Sequence, residues 1–478
     1  MNINSTTKTG HPELYAWAFS FACAIGWAAF VMPATTFLPQ GGVNGSILAF
    51  LLGGAAMCVI ALCYHYLGNA FPEHGGIYNM IRDSMNQDVA FLAAWGMGLA
   101  HICCIPLNAK AMAMLVRTLL EELFHIDYHV MFFGSDVLLI EAVFIILVLC
   151  LFGAVLTRGI RQTARLQTAG AIVLLGGIVI MLIAAALTTP NHGAAFTPSE
   201  PENVTPFNAF MAIFLITPWA FVGFDSVSKV TQELGLPLKK IARVMIISVA
   251  CGTFAYIANI LTALLGMPAE YSSWPEYLES LKGLPGIEGY PVALAARRAM
   301  GHVGTAVFFI ACISATLTGL VGFFTSVSRL LYQMAEDNML PSALAKIDET
   351  HGTPKNAIWT VVVLALLMSL LRESFDFIEE VSSVGTSLGF GLIALSTMLN
   401  ARKRGEKKFF WIGLLGTVLC ALFLVFLFIH TDGINHVLSF KSYYLMMIWV
   451  FLGICFYSFY TRDRNKSGFI IETKNTEE

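Results

Sequence analysis

Long apolar runs constrain this chain more than any other feature. A bilayer core is crossed by about 20 mainly apolar residues in a helix. Twelve such stretches follow one another, at 13–39, 45–71, 89–120, 136–157, 165–188, 206–231, 241–267, 302–335, 356–372, 378–400, 409–430 and 442–461. Only 12% of the 478 residues are charged and 57% are hydrophobic, against about 25% charged in an average soluble domain. So little polar surface cannot cover a water-soluble globule. The chain reads as an all-α membrane protein with twelve transmembrane helices in a lipid bilayer, the third and eighth long enough to tilt or project beyond the lipid.

An even number of spans puts both termini on one side, and basic residues choose the side because cytoplasmic loops are enriched in Lys and Arg. With the N-terminus inside, 21 of the 28 Lys and Arg fall on the inner side, among them Arg158, Arg161, Arg165, Lys229, Lys239, Lys240 and the run from Arg402 to Lys408. Six fall outside, and Lys110 lies within a span. The expectation is a multi-pass protein of the cell membrane with both ends cytoplasmic. Met1 to Pro12 is polar, and the apolar run after it lacks the cleavage pattern of a signal peptide.

Several function classes are excluded at this level. A net charge of -3 does not supply the concentrated basic face that nucleic acid requires. The ten cysteines lie in apolar runs with no CxxC and no Cys/His metal spacing, so they read as reduced core residues, and no metal or cofactor is expected. No H-E-x-x-H, G-x-S-x-G or paired-carboxylate motif sits at membrane depth, which argues against an enzyme.

Two spans are interrupted in matching places. The first contains Gly26 and Pro33 within Cys23-Ala-Ile-Gly-Trp-Ala-Ala-Phe-Val-Met-Pro33. The sixth contains Pro218 and Gly223 within Pro218-Trp-Ala-Phe-Val-Gly-Phe-Asp-Ser226, with Asp225 at its heart. Glycine weakens a helix and proline removes one of its hydrogen bonds. Taken singly, each break reads as an ordinary kink. Unwound backbone at membrane depth must be buried in protein or face a watery cavity, and breaks paired between the two halves of a transporter point to its central site. Free N–H groups at a half-helix start suit a carboxylate, and free carbonyls suit an ammonium.

Ionisable residues at membrane depth cost at least about 2.5–3.5 kcal/mol each on insertion scales. They are His65, His101, Lys110, Glu141 and Asp225. Asp225, beside a break, is the candidate for gating or proton coupling, its alternative being an acceptor for freed backbone amides. Lys110 is expected to pair with Glu141 or Asp225, or to attract an anionic solute. His65 and His101 read as hydrogen-bonded helix contacts, and Glu141 as a snorkelling residue.

Four segments in order resemble the amino acid–polyamine–organocation superfamily of permeases. Gly26-Trp-Ala-Ala-Phe-Val-Met-Pro33 is similar to its first-helix G-S-G-x-F-x-x-P pattern, and Phe71-Pro-Glu-His-Gly-Gly-Ile-Tyr78 to its F-P-x-x-G-G-x-Y. Trp219-Ala-Phe-Val-Gly-Phe-Asp-Ser226 resembles its sixth-helix motif. Thr325-Ser-Val-Ser-Arg-Leu-Leu-Tyr-Gln-Met-Ala335, with Asp337, Leu340-Pro341 and Thr353-Pro354, resembles its eighth-helix exit. The resemblance implies a LeuT-type fold, two inverted five-helix repeats plus two C-terminal helices, with solute held between helices 1, 3, 6, 8 and 10. It divides the chain into a cytoplasmic N-terminus (1–12), a first repeat (13–188), an extracellular loop (189–205), a second repeat (206–401), helices 11 and 12 (402–461) and a cytoplasmic tail (462–478).

Carried over residue by residue, the resemblance implies that the Gly26-Trp27-Ala28 backbone meets a solute carboxylate. Ile25 and the stretch Trp219-Ala220-Phe221, next to Gly223, would offer carbonyls to its amine. Asn108 would be a side-chain contact, Trp219 an aromatic gate and Asp225 the sixth-helix carboxylate. The chain departs from the pattern at Trp27 and Ala28, where the family has small residues. It departs again at Leu174, where proton-coupled members carry a lysine. The expected function is secondary transport of an amino acid or related amine, by exchange or proton symport. The alternative is a sensor of the same fold that binds such a solute without moving it.

Overall fold

In a computed structural model of the chain, the described residues are 12–72, 75–119, 129–132, 135–188, 192–284, 286–369, 375–429 and 438–475. Helices dominate. The first half contains α1 (Pro12–Ala24), α2 (Ala28–Met32), α3 (Gly42–Ala70), α4 (Ile77–Ser84), α5 (Gln87–Leu119), α6 (Leu139–Leu156) and α7 (Ile160–Thr188). A turn of helix, α8 (His192–Ala195), leads into α9 (Pro206–Phe214), α10 (Thr217–Ala220), α11 (Thr231–Leu234) and α12 (Ile241–Leu265). Two short helices, α13 (Trp274–Leu281) and α14 (Pro291–Met300), precede α15 (His302–Glu336), α16 (Lys355–Ser369), α17 (Phe375–Lys403), α18 (Lys407–Phe428) and α19 (Phe440–Asn475).

Nine helical stretches among the described residues are long and apolar enough to cross a membrane. The difference from the twelve apolar runs has a physical cause. The first and sixth runs are chopped into short pieces, α2 passes through a π-helical segment (Pro33–Gly41) straight into α3, and α16 is 15 residues long. The chain is helical as expected, with one short addition. His129–Phe132 (β1) and Ser135–Leu138 (β2) form an antiparallel hairpin with His129 opposite Leu138. Val130, Phe132 and Val137 are strand formers, and the hairpin occupies the gap before the fourth apolar run together with that run's first residues. The last helix continues to Asn475, past the expected end of its span at 461.

Close approach of helices rests on small residues, as expected where apolar lipid leaves packing to decide association. On α17, a Cβ at Gly385 would collide with the Gly96 carbonyl of α5. Trp95 of α5 and Trp449 of α19 stack with centroids 4.6 Å apart, and each indole N–H donates to the other's carbonyl at 2.9 and 3.0 Å. Glu380 on α17 accepts from the Ser439 amide (2.7 Å) and the Ser442 hydroxyl (2.5 Å) at the start of α19. In the loop before α16, hydrogen bonds from Lys355, Thr350 and His351 hold the Asp348 carboxyl well below the usual carboxylate range. No cysteine among the described residues is in a disulfide; all are buried or half-buried except Cys455.

Gly385→Ala places a methyl against backbone that cannot move aside, an overpacking cost of about 1–3 kcal/mol. It is expected to lower the melting temperature in detergent by several degrees. Gly176→Ala, where a Cβ would meet nothing within 4 Å, is expected to leave it unchanged.

Candidate functional site

The two interrupted helices meet at their breaks. In the first, α1 ends at Ala24 and helical structure resumes at Ala28. The amides of Gly26 and Ala28 donate to no partner among the described residues, and the carbonyls of Ala24 and Ile25 accept none. A helix start leaves its first donors without internal acceptors, and Pro33 and Pro39 loosen the following turns into the π form. In the second, Pro218 opens α10, the chain turns at Gly223 with φ +106°, and a 3₁₀ segment (Phe224–Lys229) follows. Gly223 is required twice over. Its φ lies in the left-handed region, and a Cβ there would stand 2.8 Å from the Cys23 sulfur.

Side-chain bonds tie the two breaks together and to α15. The Ser20 hydroxyl donates to the Phe224 carbonyl (2.7 Å), Thr318 donates to the Ala22 carbonyl (3.2 Å), and Cys23 Sγ lies 3.5 Å from Ser226 Oγ. Between them is a cavity of about 340 Å³ whose wall includes Gly26, Trp27, Ala28, Leu107, Asn108, Trp219, Ala220, Val222, Tyr256, Phe323 and Glu379. It shares Thr35, Met114 and Tyr290 with a wider vestibule of about 910 Å³ lined by Trp274–Tyr290 residues, so it opens toward that end of the bundle.

Six of the residues expected from sequence line this cavity: Gly26, Trp27, Ala28, Asn108, Trp219 and Ala220. Asn108 is buried. Its Nδ2 donates to the Cys104 carbonyl (2.8 Å), while Oδ1 has no partner among the described residues. Ile25 and Phe221 are fully buried and turned away, Ile25 toward Gly252 and Phe221 toward Phe50 and Tyr256. The carbonyls expected for an amine are partly engaged. Trp219 O accepts from the Val222 amide (2.9 Å), Ala220 O from the Tyr256 hydroxyl (2.7 Å), and Phe221 O from the Phe224 amide (3.3 Å). Val222, one residue on, faces the cavity with its carbonyl unengaged among the described residues. Glu379, on the same wall, was not singled out from sequence. It lies in an otherwise apolar stretch beside Glu380, and nothing in that pattern says which of the two turns inward.

Beneath the cavity floor, Asp225 takes part in a fully buried charge cluster. Lys229 Nζ donates to Asp225 Oδ2 (3.0 Å) and to Ser326 Oγ (2.7 Å), and lies 3.1 Å from His101 Nδ1. His101 Nε2 is 3.3 Å from Asp225 Oδ1. This corrects the assignment of Lys229 to the inner-side basic residues. It is buried because the 3₁₀ turn brings it back onto Asp225, four residues earlier, and a compensated charge can stay out of water. The i,i+4 spacing of Asp225 and Lys229 was the signal available in sequence. Lys110 is half-buried and does not line the cavity. Of its expected partners, Asp225 is engaged as above, and Glu141 accepts from Arg117 (2.9 Å). His65 bonds Asn69, one turn along α3.

Toward the far end of α15, ion pairs and a hydrogen bond link that helix to its neighbours. Arg329 holds Glu233 through Nε–Oε1 (2.9 Å) and Nη2–Oε2 (3.1 Å), Arg82 holds Asp337 (2.6 Å), and Gln333 donates to the Gly75 carbonyl (3.2 Å). A Cβ at Gly75 would strike the Ser228 carbonyl, so this glycine lets the chain before α4 seat against the 3₁₀ segment.

Asp225→Asn leaves the Lys229 ammonium buried without its counter-charge and is expected to destabilise the protein by about 3–5 kcal/mol. Asp225→Asn with Lys229→Gln removes both charges and is expected to recover most of that loss, read as melting temperature in detergent.

Residues 14–452 match the family described as amino acid permease. The methylthioribose transporter of Bacillus subtilis (strain 168) is 24% identical, over 81% of this chain and 80% of its own. The branched-chain amino acid permease BcaP of the same organism is 22% identical, over 92% and 90%. The large neutral amino acids transporter small subunit 2 of Rattus norvegicus is 26% identical, over 85% and 72%. These relatives are transporters and not enzymes, and the helices measured above make this a multi-pass membrane protein. With a matching family profile spanning most of its length, the chain belongs to the amino acid permease family.

Proposed function

We propose that the chain is a secondary active transporter that moves a neutral amino acid, or a related amine, across the cell membrane by alternating access, as an exchanger or a proton symporter. The observation that carries this reading is the cavity between the two breaks, with free amides at Gly26 and Ala28 on one side and unengaged acceptors on the other. A solute carboxylate takes the amides. Its ammonium takes the Ala24, Ile25 and Val222 carbonyls and Asn108 Oδ1, whose lone pairs otherwise stay buried without a donor. The side chain then lies along Trp219, Tyr256 and Phe323. At about 340 Å³ the cavity sits at the small end of ligand sites, about 300–1,000 Å³. The mainly apolar wall and the relatives named for branched-chain and large neutral amino acids favour a neutral solute.

In this reading the chain has twelve spans. Residues 13–188 and 206–401 are inverted five-helix repeats, 402–461 supplies helices 11 and 12, and both termini are cytoplasmic. The end carrying Trp274–Tyr290 is extracellular, so the geometry corresponds to an outward-facing state, and the Arg329–Glu233 and Arg82–Asp337 pairs form the closed inner gate. Trp219 gates the cavity from the sixth helix. Asp225 couples solute binding to movement of that helix. Trp27 and Ala28, in place of small residues, narrow the carboxylate seat. Lys110 acts on the outer half of the path.

Counterflow in proteoliposomes, with a panel of labelled neutral, acidic and basic amino acids and simple amines, tests the reading. Neutral amino acids are expected to accumulate against unlabelled solute of the same kind. Asn108→Leu is expected to raise KM tenfold or more, since a hydrogen bond to a charged group is worth about 1.5–3 kcal/mol. Binding of a neutral amino acid by thermal shift with no counterflow would instead identify a sensor. No response to any member of the panel would end the proposal.

A further inference from the structure

The cluster under the cavity is tightly bonded around Lys229, while His101 Nε2 and Asp225 Oδ1 face each other without a full hydrogen bond. Lys229 has three ammonium hydrogens and three acceptors within reach: Asp225 Oδ2 (3.0 Å), Ser326 Oγ (2.7 Å) and His101 Nδ1 (3.1 Å). Ser326 Oγ also lies 2.8 Å from His101 Nδ1, so its hydroxyl, which accepts from Lys229, shares that nitrogen's lone pair with the ammonium. An imidazole nitrogen that accepts carries no proton, so the His101 hydrogen sits on Nε2, the nitrogen that faces Asp225 Oδ1 at 3.3 Å. One carboxylate, one ammonium and one neutral ring sum to zero charge. All four side chains are buried.

The cluster also spans separate parts of the fold. Asp225 and Lys229 belong to the 3₁₀ segment after the second break, His101 to α5 and Ser326 to α15. Other titratable groups face it from further elements. Cys23 approaches from α1, Tyr64 from α3 and Cys104 from α5 itself, while α17 contributes the Ser382 hydroxyl through Cys104. Two of its neighbours form the cavity wall. Phe323 has its ring centroid 5.5 Å from that of His101, and Cys23 reaches Ser226, next to Asp225. A solute in the cavity is therefore one side chain away from the cluster.

We propose that this cluster is the proton site of the transporter, with His101 Nδ1 as the acceptor and Lys229 as the charge it displaces. The inference rests on the transport reading. A proton from the solution on the cavity side bonds to the Nδ1 lone pair and takes the place of the Lys229 hydrogen bond. The cluster changes from neutral to one positive charge, now as imidazolium beside ammonium. Like charges about 3 Å apart in a dry interior repel strongly, so Lys229 leaves α5 and α15 and carries the 3₁₀ segment with it. A solute carboxylate in the cavity offsets the added charge, so proton and solute load together. Loss of the proton to the other side restores the original hydrogen bonds.

The experiment uses the full chain and the neutral amino acid with the strongest counterflow in the panel above. In proteoliposomes at internal pH 7.5, lowering external pH from 7.5 to 5.5 is expected to speed wild-type uptake several-fold. His101→Gln is expected to keep equal-pH counterflow and lose that acceleration. Calorimetric titration of the wild type in two buffers of different ionisation enthalpy keeps the idea testable should the variant fail to fold, and about one proton taken up per amino acid is expected. Counterflow without acceleration by acid, or binding with no proton uptake, overturns the proton site and leaves the transport reading standing. So does His101→Gln that counterflows and keeps the acceleration. Absence of counterflow by the wild type for every amino acid in the panel overturns the transport reading itself.

Discussion

A backbone amide or carbonyl released inside hydrocarbon has no water to turn to, and this constraint organises the protein. Long helices satisfy it along most of the chain. At two places the sequence breaks the ladder, and the released groups are met by specific partners: Ser20 on the Phe224 carbonyl, Thr318 on that of Ala22 and Tyr256 on that of Ala220. What is left over on the cavity wall is the amides of Gly26 and Ala28 and the carbonyls of Ala24 and Val222. The unsatisfied remainder of the backbone is the recognition surface in the proposed transport reading.

A second expense is handled the same way. Asp225 and Lys229 are fully buried charges, tolerable only because each supplies the other's counter-charge and His101 and Ser326 complete the hydrogen bonding. Their position on the least regular stretch of the sixth-helix region joins that stretch to two long helices. Gly223 and Gly322 allow Cys23 to sit between them, so the cavity floor and the charge cluster are in direct contact.

Much of this was legible in the residues. The apolar runs announced a bundle of spans, and the glycine and proline pairs marked both breaks. Gly26, Trp27, Ala28, Asn108, Trp219 and Ala220 are marked by sequence pattern, and all six line the cavity. Other features left no mark. The direction of Glu379 depends on how α17 is rotated against its neighbours. Ile25 and Phe221 sit in the right segment and yet turn away, since a break has no fixed periodicity from which to read a facing side. Lys229 reads in sequence as an inner-side residue because a basic residue at the end of a span has the same local pattern whether it is solvated or folded back.

The sequence by itself determined that this chain lives in a membrane, where its helices are interrupted and which polar residues lie at membrane depth. These are local properties, set by hydropathy over about 20 residues and by the backbone limits of glycine and proline. Tertiary structure alone decided which freed groups remain open, that Glu379 and Val222 face the cavity, and that Asp225 meets Lys229 and His101 instead of Lys110. Such pairings join residues 97 and 128 positions from Lys229, and only the packing of helices against one another brings groups so far apart in sequence to hydrogen-bonding distance.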